Sequence, residues 1–330
     1  MTITAAAVQS AAVEISGVSH RYGDRLALDA VSFEVRRGEI FALLGPNGGG
    51  KTTLFRLLST LIPLQHGAIR VLDADVGREV DRVRRTIGVV FQAPSLDKKL
   101  SVVENLRHQG HLYGLRGRDL EARIDEMLAR LRLTDRRQDI VETLSGGLRR
   151  RVELAKGMLH DPRVLILDEP STGLDPGARA DLWEYLRLVR KEQGTTVVLT
   201  THLLEEADKA DRLAILDRGK LVALDTPDAL RATVGGDSLT IETEDPERLI
   251  AGLAERFGFA ARRIDDAVRV EQADGHRWVA QVVEAFPGAV KSVTLGKPTL
   301  EDVFINRTGH RFLSEDLIAA EPASQKKRRR

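Results

Sequence analysis

The sequence predicts an α/β fold in two parts: a parallel-sheet domain built around a phosphate-binding loop and carrying a helical subdomain, then a small α+β module. Three observations predict it. Short apolar runs, Ile40–Leu44, Val164–Leu167, Thr196–Thr200 and Leu213–Leu216, alternate with helical stretches, as strands buried on both faces of a parallel sheet do. A glycine-rich loop, Gly45-Pro46-Asn47-Gly48-Gly49-Gly50-Lys51-Thr52-Thr53, follows the first run and opens a helix. Beyond Pro227 and the Gly235-Gly236 pair the pattern shortens to βαββαβ, the order of a ferredoxin-like module.

Val13–Val18 and Leu28–Val35 alternate apolar and polar residues and read as strands ahead of the loop, after a leader over residues 1–12. A helix over Thr53–Leu61 and a strand over Ile87–Phe91, ending at Gln92, follow the loop. Ser101 and Glu104 form a capping box, so a helix starts there and runs to about Tyr113; Leu120, Ile124, Leu128 and Leu131 then share one helical face. Residues 95–143 are thus a helical insertion. Helices over Leu148–Leu159 and Ala178–Glu192 complete a domain spanning 13–226. The module spans 237–310, with strands at Leu239–Thr243, Arg262–Ile264, Val268–Glu271 and Val290–Leu295, helices at Pro246–Phe257 and His276–Phe286, and a last helix from Pro298 to Thr308. Residues 311–330 read as a disordered tail.

The 330 residues suffice for two domains, and 42% hydrophobic with 30% charged residues is ordinary globular composition. With no cysteine, disulfides, thiolate metal sites and cysteine nucleophiles are excluded. No stretch approaches the ~18 apolar residues of a membrane-spanning helix, and Met1–Ile15 lacks the basic start and apolar core of a secretory signal, so a cytoplasmic protein is expected. The net charge of +1 includes Lys326-Lys327-Arg328-Arg329-Arg330; without them 45 basic face 49 acidic residues, so nucleic acid is not an expected partner. That tail reads as solvated, with contact to anionic lipid as the other reading. The run Arg149-Arg150-Arg151 reads as a solvated helix face.

Phosphate binding needs many N–H donors close together, and glycines let the backbone approach while a helix N-terminus adds its dipole. Gly45–Thr53 meets that need: Lys51 is placed to reach the β- and γ-phosphates of ATP, and Thr52 to put its hydroxyl on Mg²⁺. Asp168 and Glu169 emerge from a buried strand at the edge where ligands bind. There Asp168 is suited to hold hydrated Mg²⁺ and Glu169 to orient or deprotonate the attacking water. His202 also ends a strand, which suits it to a polar contact with the γ-phosphate; a structural role is the alternative. Ser145-Gly146-Gly147 precedes a helix and reads as a cap that is also able to bind an anion.

Taken in order, Tyr22, Gly45–Thr53, Gln92, Leu144-Ser145-Gly146-Gly147, Asp168-Glu169, Ser171–Asp175 and His202 resemble the ATP-binding cassette (ABC) family over about Val13 to Thr226. The resemblance implies an ABC-type fold, ATP and Mg²⁺ as ligands, and a head-to-tail homodimer in which Ser145, Gly146 and Gly147 of one subunit close over the ATP held by the other. It implies that Tyr22 stacks on adenine, that Gln92 senses Mg²⁺, and that the helical insertion meets an integral membrane permease on a separate chain, at the inner face of the cell membrane. Leu148 departs from the family, where many members have glutamine, which puts in doubt any side-chain polar contact there. Pro298-Thr299-Leu300-Glu301-Asp302-Val303-Phe304 and Thr308-Gly309-His310 look like the end of the drug-resistance, daunorubicin-exporter-type subgroup of ABC-2 exporter ATPases.

The resemblance thus points to an ATP-hydrolysing subunit that energises export of a drug or other hydrophobic solute. A non-transport ABC ATPase acting on DNA or ribosomes is the alternative, but Lys51 and Asp168 lie only 117 positions apart, too close for an intervening long coiled coil, and one cassette is present rather than two. A monomeric phosphate-loop kinase or GTPase would not need Leu144–Gly147.

Overall fold

The computed structural model describes residues 11–264 and 266–312; the leader up to residue 10 and the basic tail lie outside the described residues. The chain divides into two compact units between Leu224 and Asp225. Up to that division it forms β1 (Ala11–Tyr22), β2 (Arg25–Arg36), β3 (Ile40–Leu44), α1 (Lys51–Leu58), β4 (His66–Val71), β5 (Ala74–Asp75), α2 (Val80–Thr86), β6 (Ile87–Val90), α3 (Val102–Leu112), α4 (Gly117–Arg130), α5 (Gly146–Met158), β7 (Val164–Asp168), α6 (Pro176–Gln193), β8 (Thr196–Thr201), α7 (Leu204–Ala207), β9 (Arg212–Asp217) and β10, which ends at the division (Lys220–Asp225).

Two sheets share this unit. One runs β2-β1-β4-β5, antiparallel, and the other β10-β9-β3-β8-β7-β6. In the second, β3 is parallel to both β8 and β9, and β7 to both β8 and β6. Every residue of β3, β7, β8 and β9 is buried, which is why these strands read as continuous apolar runs. Val13, Leu28, Phe41, Leu54, Phe55, Ile69, Ile166 and Val198 belong to one core in which both sheets pack on α1. Burying each such side chain contributes on the order of 1.5–3 kcal/mol. The strand expected from Val13 begins at Ala11, and Ala12 is fully buried, so the leader is shorter than expected.

The helical insertion is held to the rest at its start. Glu153 of α5, only 4% exposed, accepts from Ser95 N at 2.6 Å and Ser95 Oγ at 2.7 Å, and Lys156 donates to Ser95 O at 2.7 Å. Ser101 and Glu104 form the expected capping box at α3, and Leu120, Ile124 and Leu128 are buried on one face of α4, with Leu131 just after it.

The second unit holds α8 (Pro227–Ala232), β11 (Asp237–Thr243), α9 (Pro246–Phe257), β12 (Ala261–Ile264), β13 (Ala267–Gln272), α10 (Gly275–Ala285), β14 (Val290–Gly296) and α11 (Leu300–Thr308). Its antiparallel sheet runs β12-β13-β11-β14, the ferredoxin-like order that βαββαβ predicts. Leu239, Ile241, Leu249, Leu253, Val268 and Val282 form its core, with Trp278 edge-on to Phe257 and Phe259. Thr299 and Asp302 make a capping box at α11, and Asp302 also meets Arg269 of β13 at 2.5 Å. The segment singled out at Pro298–Phe304 is therefore a helix start tied to the sheet.

Candidate functional site

Strand register brings the predicted chemistry to one edge. Leu44 pairs with Thr201, Thr200 with Asp168, and Leu167 with Val90. The residues that follow, Gly45, His202, Glu169 and, two places on, Gln92, therefore leave the sheet side by side at its C-terminal edge.

The phosphate loop is packed too closely for side chains. A Cβ on Gly45 would lie 2.3 Å from the Leu216 carbonyl oxygen, and Gly50, at φ 107°, would press one within 2.8 Å of the Ala27 carbonyl. Lys51 is 4% exposed, and its Nζ donates to the carbonyls of Gly45 (2.6 Å) and Pro46 (2.9 Å), so the ammonium curls under the loop it is to serve. A cleft of about 160 Å³ gathers Asn47, Gly48, Gly49, Gly50, Lys51, Thr52 and Thr53 with Tyr22 at the end of β1, Arg25, Ala27 and Glu169. Tyr22 is 43% exposed, a ring left open to a stacking partner. Sequence reasoning missed Arg25, which a tight β1–β2 turn delivers and no motif marks.

Glu169 is the best-connected residue of the edge. Its backbone sits at φ 42°, a left-handed conformation costing about 1–3 kcal/mol outside glycine, and its N–H donates to Thr200 Oγ1 at 2.9 Å. Its Oε2 accepts from Gln92 Nε2 at 3.0 Å and Thr172 Oγ1 at 3.2 Å, and His202 Nδ1 stands 3.2 Å from Oε1 without aligning as a hydrogen bond. Gln92, Glu169 and His202 are thus brought together. Thr200 also donates to Asp168 Oδ1 at 2.6 Å. A threonine pair in an apolar strand was the signal for it. Behind them Glu206, 1% exposed, accepts from Thr201 at 2.7 Å and from Ser171, tying the loops after β7 and β8 together.

Burial raises the Asp168 pKa, with the neighbouring Glu169 carboxylate adding to it and the Thr200 hydrogen bond opposing. The ionised form is therefore the disfavoured one in the fold, and its stability cost sets in as pH rises from the unfolded value, about 3.9, through the higher folded one. Asp168→Asn is expected to raise the melting temperature of the nucleotide-free chain at neutral pH, a gain that fades below about pH 4; calorimetry at the two pH values checks it.

The donor set suits Mg²⁺: the Asp168 carboxylate, the Thr52 hydroxyl and the Gln92 carbonyl are hard oxygens. Among the described residues no group of three or more His, Cys, Asp or Glu could hold a metal, so an ion here would depend on phosphate and water oxygens as well, as Mg²⁺ does.

Ser145, Gly146 and Gly147 are not gathered into this cleft. Ser145 caps α5, accepting from Leu148 N at 3.3 Å, and is exposed; a Cβ on Gly146 would meet nothing within 4 Å. The arginine run that follows is not the solvated face expected of it. Arg151 pairs with Asp181 of α6, and half-buried Arg150 donates to the Phe91 and Pro170 carbonyls at the C-terminal edge of the sheet, because α5 lies against the strand ends rather than free in solvent.

A phosphate loop after a central parallel strand, with an acidic pair and a histidine on the neighbouring strand ends and a helical insertion between them, defines a nucleotide-hydrolysing ATPase of the cassette class. A family profile described as "ABC transporter" matches residues 28–172. The chain is 40% identical over 304 residues to the daunorubicin resistance ATP-binding protein DrrA3 of Streptomyces coeruleorubidus, covering 90% of this chain and 96% of that one. It is 39% identical to the Nod factor export ATP-binding protein I of Sinorhizobium fredii, covering 90% and 86%. Among solved structures it is similar to cbiO1 of Clostridium perfringens, part of the ABC transporter complex cbiONQ (TM-score 0.63, 26% identity, 75% of this chain and 96% of that one). It is also similar to the dimeric ATP-binding cassette MJ0796 bound to ADP and Pi (TM-score 0.59, 25% identity, 65% and 98%). The chain belongs to the ABC transporter family and is one of its ATP-binding, ATP-hydrolysing subunits. Among the described residues no helix is long and apolar enough to cross a membrane.

Proposed function

We propose that this subunit works as a homodimer that energises export through a separate integral membrane permease, from the cytoplasmic face of the membrane. One observation carries the split site: the cleft that gathers Tyr22, the phosphate loop and Glu169 leaves out Ser145, Gly146 and Gly147, of which Ser145 and Gly146 stand exposed at the start of α5. Head-to-tail pairing gives that helix start a phosphate to meet. The same pairing gives the cleft a lid.

In this reading the N–H groups of Gly45, Pro46's successors Asn47 to Gly50, and Thr52 and Thr53 cradle the phosphates, and Lys51 reaches the β- and γ-phosphates. Tyr22 stacks on adenine. Thr52, Asp168 and Gln92 would hold Mg²⁺, which would supply charge neutralisation to the phosphates. Glu169 accepts a proton from, or orients, the attacking water, and His202 holds the γ-phosphate. The relatives named for daunorubicin resistance and Nod factor export support export of a drug or other hydrophobic solute.

Affinity capture of the tagged chain from detergent-solubilised membranes of its own host tests the partnership. A co-purifying integral membrane protein that stimulates ATP turnover is the expected result. Recovery of ribosomes, DNA or soluble proteins alone would sink the transport reading.

A further inference from the structure

Arg150 lies five residues beyond Ser145 on α5, and its guanidinium is spread across three backbone carbonyls. Nη1 donates to Phe91 O at 2.7 Å, Nε to Pro170 O at 2.7 Å, and Nη2 makes a longer contact to Asp168 O at 3.5 Å. These carbonyls flank two residues only. Phe91 precedes Gln92, and Asp168 and Pro170 stand on either side of Glu169. Gln92 and Glu169 are themselves joined at 3.0 Å.

Glu169 needs such support. A non-glycine residue at positive φ persists only where its surroundings over-determine it. Thr200 fixes the Glu169 N–H, and Arg150 fixes the carbonyls before and after it. A planar fork with five N–H donors in fixed directions spans these acceptors, whereas an ammonium presents a single point. Burial brings the guanidinium pKa down to about 10, so it stays charged at neutral pH, and the Glu153 and Asp168 carboxylates favour that charge.

We propose that Arg150 is a positioning residue that fixes Gln92 and Glu169 relative to the start of α5, so that engagement of Ser145–Gly147 is relayed to the carboxylate that serves the attacking water. The proposal deepens the split-site reading and rests on the roles given there to Gln92 and Glu169. It differs from a packing role in what it spares. Arg150 is not among the residues that line the nucleotide cleft, so ATP affinity is expected to depend on it far less than turnover does.

The test uses the purified full chain, with Arg150→Ala, Arg150→Lys and Arg150→Met beside Glu169→Gln; methionine retains an apolar stem if alanine fails to fold. Loss of alignment by roughly an ångström predicts a kcat about 10–100-fold below wild type in all three Arg150 variants. ATP affinity should stay within about twofold, which separates positioning from binding. Arg150 lines, with Gly147 and Leu154, a cavity of about 300 Å³, so added ethylguanidinium can reach the space alanine leaves; it is expected to restore kcat several-fold, and ethylammonium is not. An Arg150→Ala kcat within about twofold of wild type while Glu169→Gln is inactive overturns the proposal. Parallel loss of ATP affinity, melting temperature and kcat without guanidinium rescue overturns it too, in favour of packing. An active Glu169→Gln chain would instead overturn the underlying assignment of Glu169, and the proposal with it.

Discussion

Glu169→Gln is expected to lower ATP turnover by about 10²–10⁴-fold while leaving ATP binding intact, the range set by general acid–base groups. The substitution preserves shape. A glutamine at 169 can still turn its carbonyl oxygen to Gln92 Nε2 and the Thr172 hydroxyl, which now reach Oε2 at 3.0 and 3.2 Å, so the local network survives. What disappears is the negative charge, 3.2 Å from His202, on which a proton from the attacking water would be received. Lys51 and the glycine cradle are untouched, so the nucleotide still binds and, with hydrolysis stalled, the ATP-bound dimer should accumulate. Phosphate release, fluorescent ATP binding and size-exclusion chromatography with and without ATP read the three consequences. Near-normal phosphate release would remove Glu169 from the catalytic role.

The parts of this site that the sequence made legible are those that recur with a local signature. β3, β7 and β8 are buried on both faces and so appear as apolar runs, and residues placed one after each run come out at one edge because parallel register aligns them. β4 was not legible: only Ile69 and Val71 of His66–Val71 are buried, and Gly67 breaks the run. α2 buries only Val83 among charged neighbours, and β10 is a half-buried edge strand, so neither carries a periodicity strong enough to read. Arg150 failed for a different reason. Its partners are carbonyls 18 to 59 positions away, and backbone acceptors leave no mark on residue type. Glu206 is the same case in reverse: an acidic residue in an exposed-looking stretch is buried because two hydroxyls, on Ser171 and Thr201, converge on it.

Ser145→Arg separates a site completed in trans from one contained in a single chain. Ser145 caps α5 and is exposed, with open space around Gly146, so an arginine there can point into solvent; the isolated subunit loses a cap worth about 1 kcal/mol and places a cation at the positive end of a helix, but should fold. Placed in the Glu169→Gln background, it should leave the ATP affinity of the monomer within about twofold, since Ser145 does not line that monomer's cleft, a pure loss of closure rather than of binding. The ATP-dependent dimer should nevertheless vanish, because the bulky side chain meets the partner's phosphate loop where the bare helix start was to close. In the Glu169 chain, turnover should fall by about 10²-fold or more, the scale of losing preorganised donors at the phosphate. A fall in monomer affinity would instead put Ser145 in its own chain's site, and an ATP-dependent dimer with normal turnover would abolish the split site altogether. The two outcomes differ in one measurement, nucleotide binding by dilute monomer, and that measurement precedes any question of what the membrane partner carries.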